Sequence, residues 1–160
     1  MKSWPIYIAI AGGVYLFNNF TAADRDDNGN IVSEGQINAF NIRIGDCFND
    51  AASTPTGEDY ELSNVAGIPC AEPHDNEVYA VFDVSVASFP GEDQMSELAF
   101  DSCLKRFEPF VGKDYQSSSL DIMTMYPTQG SWAQADREVI CAVYDMTLAK
   151  LEGSVEGSAL

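Results

Sequence analysis

The sequence predicts an α+β domain that follows an N-terminal transmembrane helix, and three observations support this fold class. An uncharged apolar run opens the chain, one later segment has helical periodicity, and four segments alternate between apolar and polar residues. Because helices do not recur between the alternating segments, we expect an antiparallel sheet of about four strands packed on a single helix. The four cysteines add an expectation of two disulfides.

The N-terminal run has the length and composition of a membrane span. Residues 3–23 contain no charge, and at about 1.5 Å per residue they reach roughly 30 Å, the thickness of a hydrocarbon core. Lys2 precedes the run and acidic residues follow it, so the positive-inside rule predicts a single-pass protein of the cell membrane with its C-terminal domain extracytoplasmic. We expect residues 1–23 to be an uncleaved signal anchor, and cleavage of a signal peptide near Ala23 is the alternative.

Composition divides the remaining chain into three parts. Residues 24–39 are predicted to be an acidic juxtamembrane linker, residues 40–151 an extracytoplasmic α+β domain, and residues 152–160 a frayed tail with two Gly-Ser pairs. The chain holds 8 Lys and Arg against 25 Asp and Glu, a net charge of −17. Such a surface repels phosphate groups, which excludes nucleic acid as a partner.

The predicted elements come in the order strand, strand, helix, strand, strand. The strands cover residues 40–48, 78–84, 120–126 and 137–145. Residues 49–67 are rich in Ser, Thr, Pro, Gly and acids and are expected to form a long loop, whereas residues 127–130 have the composition of a turn.

The predicted helix covers residues 92–107. Apolar residues recur at every fourth position, which gives one face that can pack on a sheet. This stripe consists of Met95, Ala99, Cys103 and Phe107. Acidic residues begin the helix and Lys105 and Arg106 end it, as the helix dipole favours, and Pro109 is expected to stop it.

Four cysteines follow the apolar run, and they lie much farther apart than the closely spaced pairs of a zinc site. An oxidising compartment therefore favours two disulfides. The residues are Cys47, Cys70, Cys103 and Cys141. Four cysteines allow three pairings, and sequence alone leaves the choice open. Docking of the helix stripe on the strand face that holds Val139, Cys141 and Val143 favours Cys103–Cys141, which leaves Cys47–Cys70 as the other pair.

An acidic stretch directly after the apolar run resembles the opening of an EF-hand calcium loop. Its oxygen ligands would come from Asp24, Asp26, Asn28 and Asn30. Gly29 occupies the expected sixth position, but the closing glutamate should fall at Gly35, and Glu34 is one residue early. Calcium is the only ion or cofactor that the sequence raises, and an acidic turn beside the membrane is the structural alternative.

The only histidine, His74, follows Pro73 in a turn ahead of the second strand. A general base with carboxylate neighbours is one interpretation, and it would make the protein a hydrolase. The sequence has no serine or cysteine motif that such a base would activate, so we expect a structural turn in which the imidazole forms a hydrogen bond. No catalytic residue is therefore assigned, and the protein is expected not to be an enzyme.

Four short motifs are distributed over the predicted domain. They are Gly45-Asp46-Cys47-Phe48, the stretch from Pro69 through Pro73, His74 and Glu77 to Val78, Cys103, and the stretch from Ser131 to Cys141. Together they resemble the septum formation family over residues 40–151. The resemblance implies a small extracytoplasmic domain, usually anchored by one membrane helix, with a part in cell division or envelope assembly. It also implies bridging roles for the cysteines and a structural Pro73–His74 turn, and it assigns no catalytic residues.

These observations lead to two expectations for function. The first is a non-enzymatic, membrane-anchored interaction domain, an accessory subunit of a cell-envelope or septum-formation complex. Its partners would be membrane proteins that meet the anchor helix and the acidic domain. The alternative is an ectodomain that senses calcium or a small ligand through the acidic loop of residues 24–30.

Overall fold

The computed structural model describes residues 21–50 and 63–160. Most of the predicted signal anchor, residues 1–20, lies outside the described residues. Within the described ranges, no helix has both the length and the apolar composition needed to cross a membrane. The mixture of helix with antiparallel sheet is confirmed.

Two antiparallel sheets and two α-helices form the described part of the chain. The helices are α1, Glu92–Val111, and α2, Gln129–Trp132. The strands are β1 (Asp24–Arg25), β2 (Ile31–Ser33), β3 (Gly35–Asn38), β4 (Cys47–Asn49), β5 (Asn64–Ile68), β6 (Asn76–Asp83), β7 (Leu120–Met125) and β8 (Glu138–Asp145). β1 and β2 form a separate hairpin, and the other six strands form the main sheet in the order β3-β5-β4-β6-β8-β7.

The main sheet has six strands, so the expectation of about four was wrong. Residues 24–39, predicted as a linker, instead form β1, β2 and β3, and β5 lies mostly within the predicted loop of residues 49–67. The strand predicted over residues 40–48 is also shorter, because a 3-10 helix occupies Ala39–Asn41 and β4 begins only at Cys47. Strands this short show too few alternations to be recognised in a sequence, and they are ordered by pairing with their neighbours.

α1 extends one turn beyond its predicted end, because Pro109 does not stop it. A proline in the last turn removes a single backbone donor, whereas the buried Val111 continues the apolar stripe by one further step of four. The helix ends at Gly112, whose φ of 83° is the left-handed cap conformation that glycine adopts readily. The last two residues of the turn predicted at residues 127–130 instead begin α2, which the side chain of Thr128 caps.

The main sheet has a core on each face, and β8 contributes to both. Val139, Cys141 and Val143 lie in the core between the sheet and α1, as the alternation predicted. Ile140 and Ala142 lie between them in the sequence and belong to a second core with residues of β2, β3 and β4. α1 therefore covers one face of the sheet, and the N-terminal strand β2 packs on the other.

A β-bulge interrupts β6, so the regular alternation predicted over residues 78–84 was wrong. The partners of Val78 and Ala80 are adjacent residues of β8, which leaves Tyr79 as the extra residue. Val78 consequently belongs to the second core, whereas Ala80 belongs to the helix-side core.

Two disulfides cross-link the domain, and the pairing is the one that the periodicity favoured. Cys103–Cys141 joins α1 to β8 inside the helix-side core. Cys47–Cys70 joins the first residue of β4 to the loop that leads into β6. Each bridge therefore connects parts of the chain that are distant in sequence and adjacent in the fold.

Residues 151–160, which we call the C-terminal segment, pack against the domain, so the predicted frayed tail was wrong. Leu151 and Val155 are 5% and 2% exposed. The backbone N–H groups of Gly157 and Ala159 donate to carbonyls at the end of α1, at 2.8 and 2.9 Å. Two buried apolar side chains and this backbone pairing outweigh a composition that is typical of a loop.

Candidate functional site

Buried polar side chains gather in the main sheet where β4 pairs with β6 through Cys47 and Glu77. We call this group the polar centre. Its members are Asp46, His74, Asn76 and Glu77, which are 3, 0, 0 and 2% exposed. Because a buried polar group is costly unless it is hydrogen-bonded, the contacts of each member indicate what it holds in place.

Asp46 holds the N-terminal hairpin. Its two carboxylate oxygens accept hydrogen bonds from Nη1 and Nη2 of Arg25, at 2.5 and 2.7 Å. Oδ2 also accepts from the backbone N–H of Arg43 at 2.8 Å. The Arg25 side chain is only 17% exposed, and the hydrogen bonds that it donates to Asp46 raise the pKa of its guanidinium. A charged, bidentate pair thus fixes β1 and the loop before β4 to each other.

Glu77 holds the C-terminal segment. Oε1 accepts from Oγ of Ser154 and Oε2 from the backbone N–H of Val155, both at 2.6 Å. The sulfurs of Cys47 and Cys70 and a carboxylate oxygen of Glu77 lie within 4.8 Å of one another. The two sulfurs are bonded to each other, so this group offers no thiolate to a metal ion while the disulfide is intact.

His74 holds the turn that leads into β6. Nδ1 donates to the carbonyl oxygen of Glu72 at 2.7 Å, because a carbonyl can only accept. The backbone N–H and C=O of His74 pair with Leu151 at 3.1 and 2.8 Å. Among the described residues, Nε2 of His74 and Oδ1 of Asn76 have no hydrogen-bond partner. The ring is fully buried, so it occupies the position of a structural residue rather than of a solvent-facing base.

An open cleft of about 860 Å³ lies beside the polar centre. Its apolar lining includes Val32, Ile44, Pro69, Ala71, Pro109 and Phe110. Buried Glu77 contributes to the lining between these walls, and Arg106 and Glu156 are its exposed charged residues. The carboxylate of Glu77 is already engaged with the C-terminal segment, so the cleft presents an apolar surface with a charged rim rather than a free acid or base.

Of the residues considered for calcium, Asp26, Asn28 and Asn30 lie in the turn of the β1–β2 hairpin, whereas Asp24 is the first residue of β1. Oδ1 of Asp26 accepts from the backbone N–H groups of Asn28 and Asn30, both at 2.9 Å. The side chain of Asn30 also donates to Oδ2, and this hydrogen bond is the main reason that the pKa of Asp26 is lowered. Asp24 accepts from Oγ of Ser33 at 3.1 Å. A hairpin turn lacks the helix–loop–helix geometry of an EF-hand, and calcium binding by this turn stays a prediction.

The polar centre, both disulfides and most of the cleft lie within one family match. The model of the septum formation family matches residues 44–159. The chain belongs to the septum formation family. In this septum formation domain, the motifs around Asp46, His74 and Glu77 meet where β4 and β6 pair. No curated protein and no solved structure matches the chain.

The roles of Asp46 and Glu77 in the septum formation domain were missed from the sequence, although both stand in motifs that carried the resemblance. The available sequence signals were an acidic residue next to a cysteine, which is Asp46, and an acidic residue at the start of an apolar strand, which is Glu77. Their partners Arg25 and Ser154 lie 21 and 77 residues away, and local periodicity carries no information on such distances.

Proposed function

We propose that this septum formation domain is a non-enzymatic, membrane-anchored extracytoplasmic interaction domain. In this proposal it is an accessory subunit of a membrane complex that builds the septum or the cell envelope. Membership of the septum formation family supports a role in cell division. Two disulfides support an oxidising compartment, and the uncharged apolar run of residues 3–23 supports an anchor.

This proposal rests mainly on the contacts that the side chains of the polar centre make. Asp46 binds the N-terminal hairpin, Glu77 binds the C-terminal segment, and His74 binds the turn that leads into β6. Side chains that would otherwise be the first choice for acid–base chemistry are therefore engaged in holding the chain together. These side chains hold the segments that form an open, largely apolar cleft. A cleft of this kind is a typical binding surface for other molecules.

The way the chain enters the domain supports a short connection to the membrane. Gln36 donates its backbone N–H to the carbonyl oxygen of Thr21 at 2.9 Å, and Ala23 donates to the carbonyl of Gln36 at 3.2 Å. Residues 21–23 thus pair with β3 and belong to the domain, so a membrane span that ends at residue 20 would leave no free linker. An anchored domain would be held at the membrane surface, where membrane-protein partners are within reach.

The test uses the full chain with a C-terminal affinity tag, expressed at its native level in the native organism. We expect it in the membrane fraction, accessible to protease from outside the cell, and co-purifying with membrane proteins after mild crosslinking and detergent extraction. The matched control replaces residues 1–20 by a cleavable signal peptide, which exports the same domain without an anchor and keeps the residues that pair with β3. Recovery of the full chain alone from crosslinked membranes, or in the cytosol with four free thiols, would contradict the proposal.

A second variant tests the non-enzymatic part of the proposal. His74→Gln should affect septum formation only to the degree that it lowers the stability of the domain, because the buried ring acts through the turn that it holds. A His74→Gln protein that is as stable as wild type and keeps its partners, yet no longer supports septum formation, would contradict it.

A further inference from the structure

We propose that the cleft binds an extended peptide segment of a partner protein, one that carries apolar side chains and a carboxylate, and that Arg106 holds this carboxylate. The inference rests on the proposed function, because it names the site through which the interaction domain meets its partner. It is carried by the exposure of the cleft walls, by the state of Arg106 and by the rigidity of the surroundings.

The walls of the cleft expose large apolar side chains to water. Val32 is 55% and Ile44 61% exposed, and both line the cleft with the exposed Ala71 and Pro109. They come from β2, from the loop before β4, from the loop after β5 and from α1, so the fold brings four separate segments to one apolar surface. Apolar side chains that are exposed together, rather than singly, mark a binding surface.

Arg106 is the exposed cation of this cleft. Its guanidinium lies over the ring of Phe82, 4.0 Å from the centroid, and Nη1 donates to the carbonyl oxygen of Ser102 at 2.6 Å. Neither contact neutralises the charge, and no carboxylate within residues 21–50 and 63–160 forms an ion pair with it. In a chain of net charge −17, a positioned guanidinium without a carboxylate partner, beside an apolar groove, favours an incoming anionic group.

An extended peptide fits this surface better than an acyl chain. The cleft is open to solvent, and its lining includes polar groups from Asn30, Gly45 and Ser154. The amide groups of a peptide can form hydrogen bonds with such groups in place of water, whereas a hydrocarbon chain cannot, and it would bury little of its own surface in an open cleft.

The cleft is held in shape without a partner. The Cys47–Cys70 disulfide fixes the wall that contains Ala71, Glu77 holds the wall at Ser154, and Asp46 holds the loop that carries Ile44. A preorganised surface loses little conformational entropy on binding, so contacts with a short peptide translate efficiently into affinity.

The test begins with a random heptapeptide library panned against the full chain in mild detergent. We expect enriched peptides to combine two or more apolar residues with an acidic side chain or a free terminal carboxylate. Comparison of each synthesised peptide with its C-terminal amide, and of Asp or Glu with Asn or Gln, identifies which carboxylate binds. Enrichment of basic peptides, or of none, would overturn the proposal.

Affinities of the enriched peptide are then measured by fluorescence anisotropy for matched variants. Arg106→Gln and Ile44→Ser should each weaken binding about tenfold, the size expected for a lost charge-assisted hydrogen bond or a buried aliphatic contact. Lys105→Gln is the control, because Lys105 is exposed, adjacent and outside the cleft lining. Equal effects of Arg106→Gln and Lys105→Gln would show that net charge, not the cleft, governs binding, and this result overturns the proposal.

A fluorescent dodecanoate that binds in an Arg106-dependent way, when no peptide does, would identify an acyl chain as the occupant and make the peptide assignment wrong. If Arg106→Gln and Ile44→Ser retain the crosslinked partners as well as the wild-type chain does, the cleft is not the binding site. This result would leave the proposed function intact. If the wild-type chain crosslinks to no membrane protein, the proposed function itself is refuted.

Discussion

Replacement of Glu77 by alanine tests whether the polar centre holds the C-terminal segment. The change removes both acceptors of the 2.6 Å hydrogen bonds from Ser154 and Val155. Ser154 is exposed and can bond to water, but Val155 is only 2% exposed, so its backbone N–H is left buried without a partner. That loss and the cavity left by the side chain together predict a decrease of about 3 kcal/mol in the free energy of unfolding.

Glu77→Gln is the matched comparison. The amide oxygen can still accept from the backbone N–H of Val155, and the amide nitrogen can donate to Oγ of Ser154, because a hydroxyl both accepts and donates. Shape and both bonds are retained, and only the charge is lost, so we expect a decrease of about 1 kcal/mol.

The assay combines urea unfolding followed by far-ultraviolet circular dichroism with hydrogen exchange measured on the C-terminal segment. Glu77→Ala should shift the unfolding midpoint strongly and speed exchange at Val155 and Gly157, with a smaller effect at the core helix α1. Unchanged exchange in the C-terminal segment of Glu77→Ala would refute the assigned role. A Glu77→Gln protein as unstable as Glu77→Ala would refute the geometric part of the reasoning and leave only the charge.

Three further predictions follow from other contacts. Replacing Cys103 and Cys141 by alanine should lower the free energy of unfolding by about 4 kcal/mol, the chain-entropy value for a separation of 38 residues; a loss in urea unfolding below about 1 kcal/mol would contradict it. The hydrogen bond to Asp121, together with burial, raises the pKa of Tyr115 to about 12. The free energy of unfolding should therefore fall as pH rises from about 10 to 12. Asp121→Asn should move the phenolate absorbance transition of Tyr115 to lower pH. Burial and neighbouring acids raise the pKa of Glu138, which means that its ionised form destabilises the fold. Glu138→Gln should therefore raise the free energy of unfolding by about 0.5 kcal/mol at neutral pH and leave it unchanged where the carboxyl is protonated. Thermal unfolding at both pH values checks this.

Elements with several residues of clear periodicity could be predicted from the sequence. α1 and β8 each repeat their apolar pattern often enough to fix which side faces the core, and this was sufficient to pair Cys103 with Cys141. The N-terminal strands could not be predicted, because β1, β2 and β3 have 2, 3 and 4 residues and owe their conformation to pairing. The bulge at Tyr79 likewise depends on the partner strand and has no signature in β6 itself.

The candidate site was predictable only as a set of motifs. Asp46, His74 and Glu77 stood in the stretches that carried the family resemblance, but their partners come from the two ends of the described chain. The segment that completes the site, with Ser154 and Val155, has a loop-like composition and was expected to be frayed. Its order comes from long-range contacts, which no window of local sequence contains.

The position of β8 has a consequence for the order in which a newly made chain acquires its structure. β8 is the last strand of the sequence, yet it lies inside the sheet between β6 and β7. Synthesis from the N-terminus allows β3, β4, β5 and β6 to assemble and the Cys47–Cys70 bridge to close early, whereas β7, whose neighbour in the sheet is β8, must wait for that strand. Until β8 has emerged, the free edge of β6 and the thiol of Cys103 have no partner, so the chain is most vulnerable to aggregation and to wrong bridging in the interval before β8 is made.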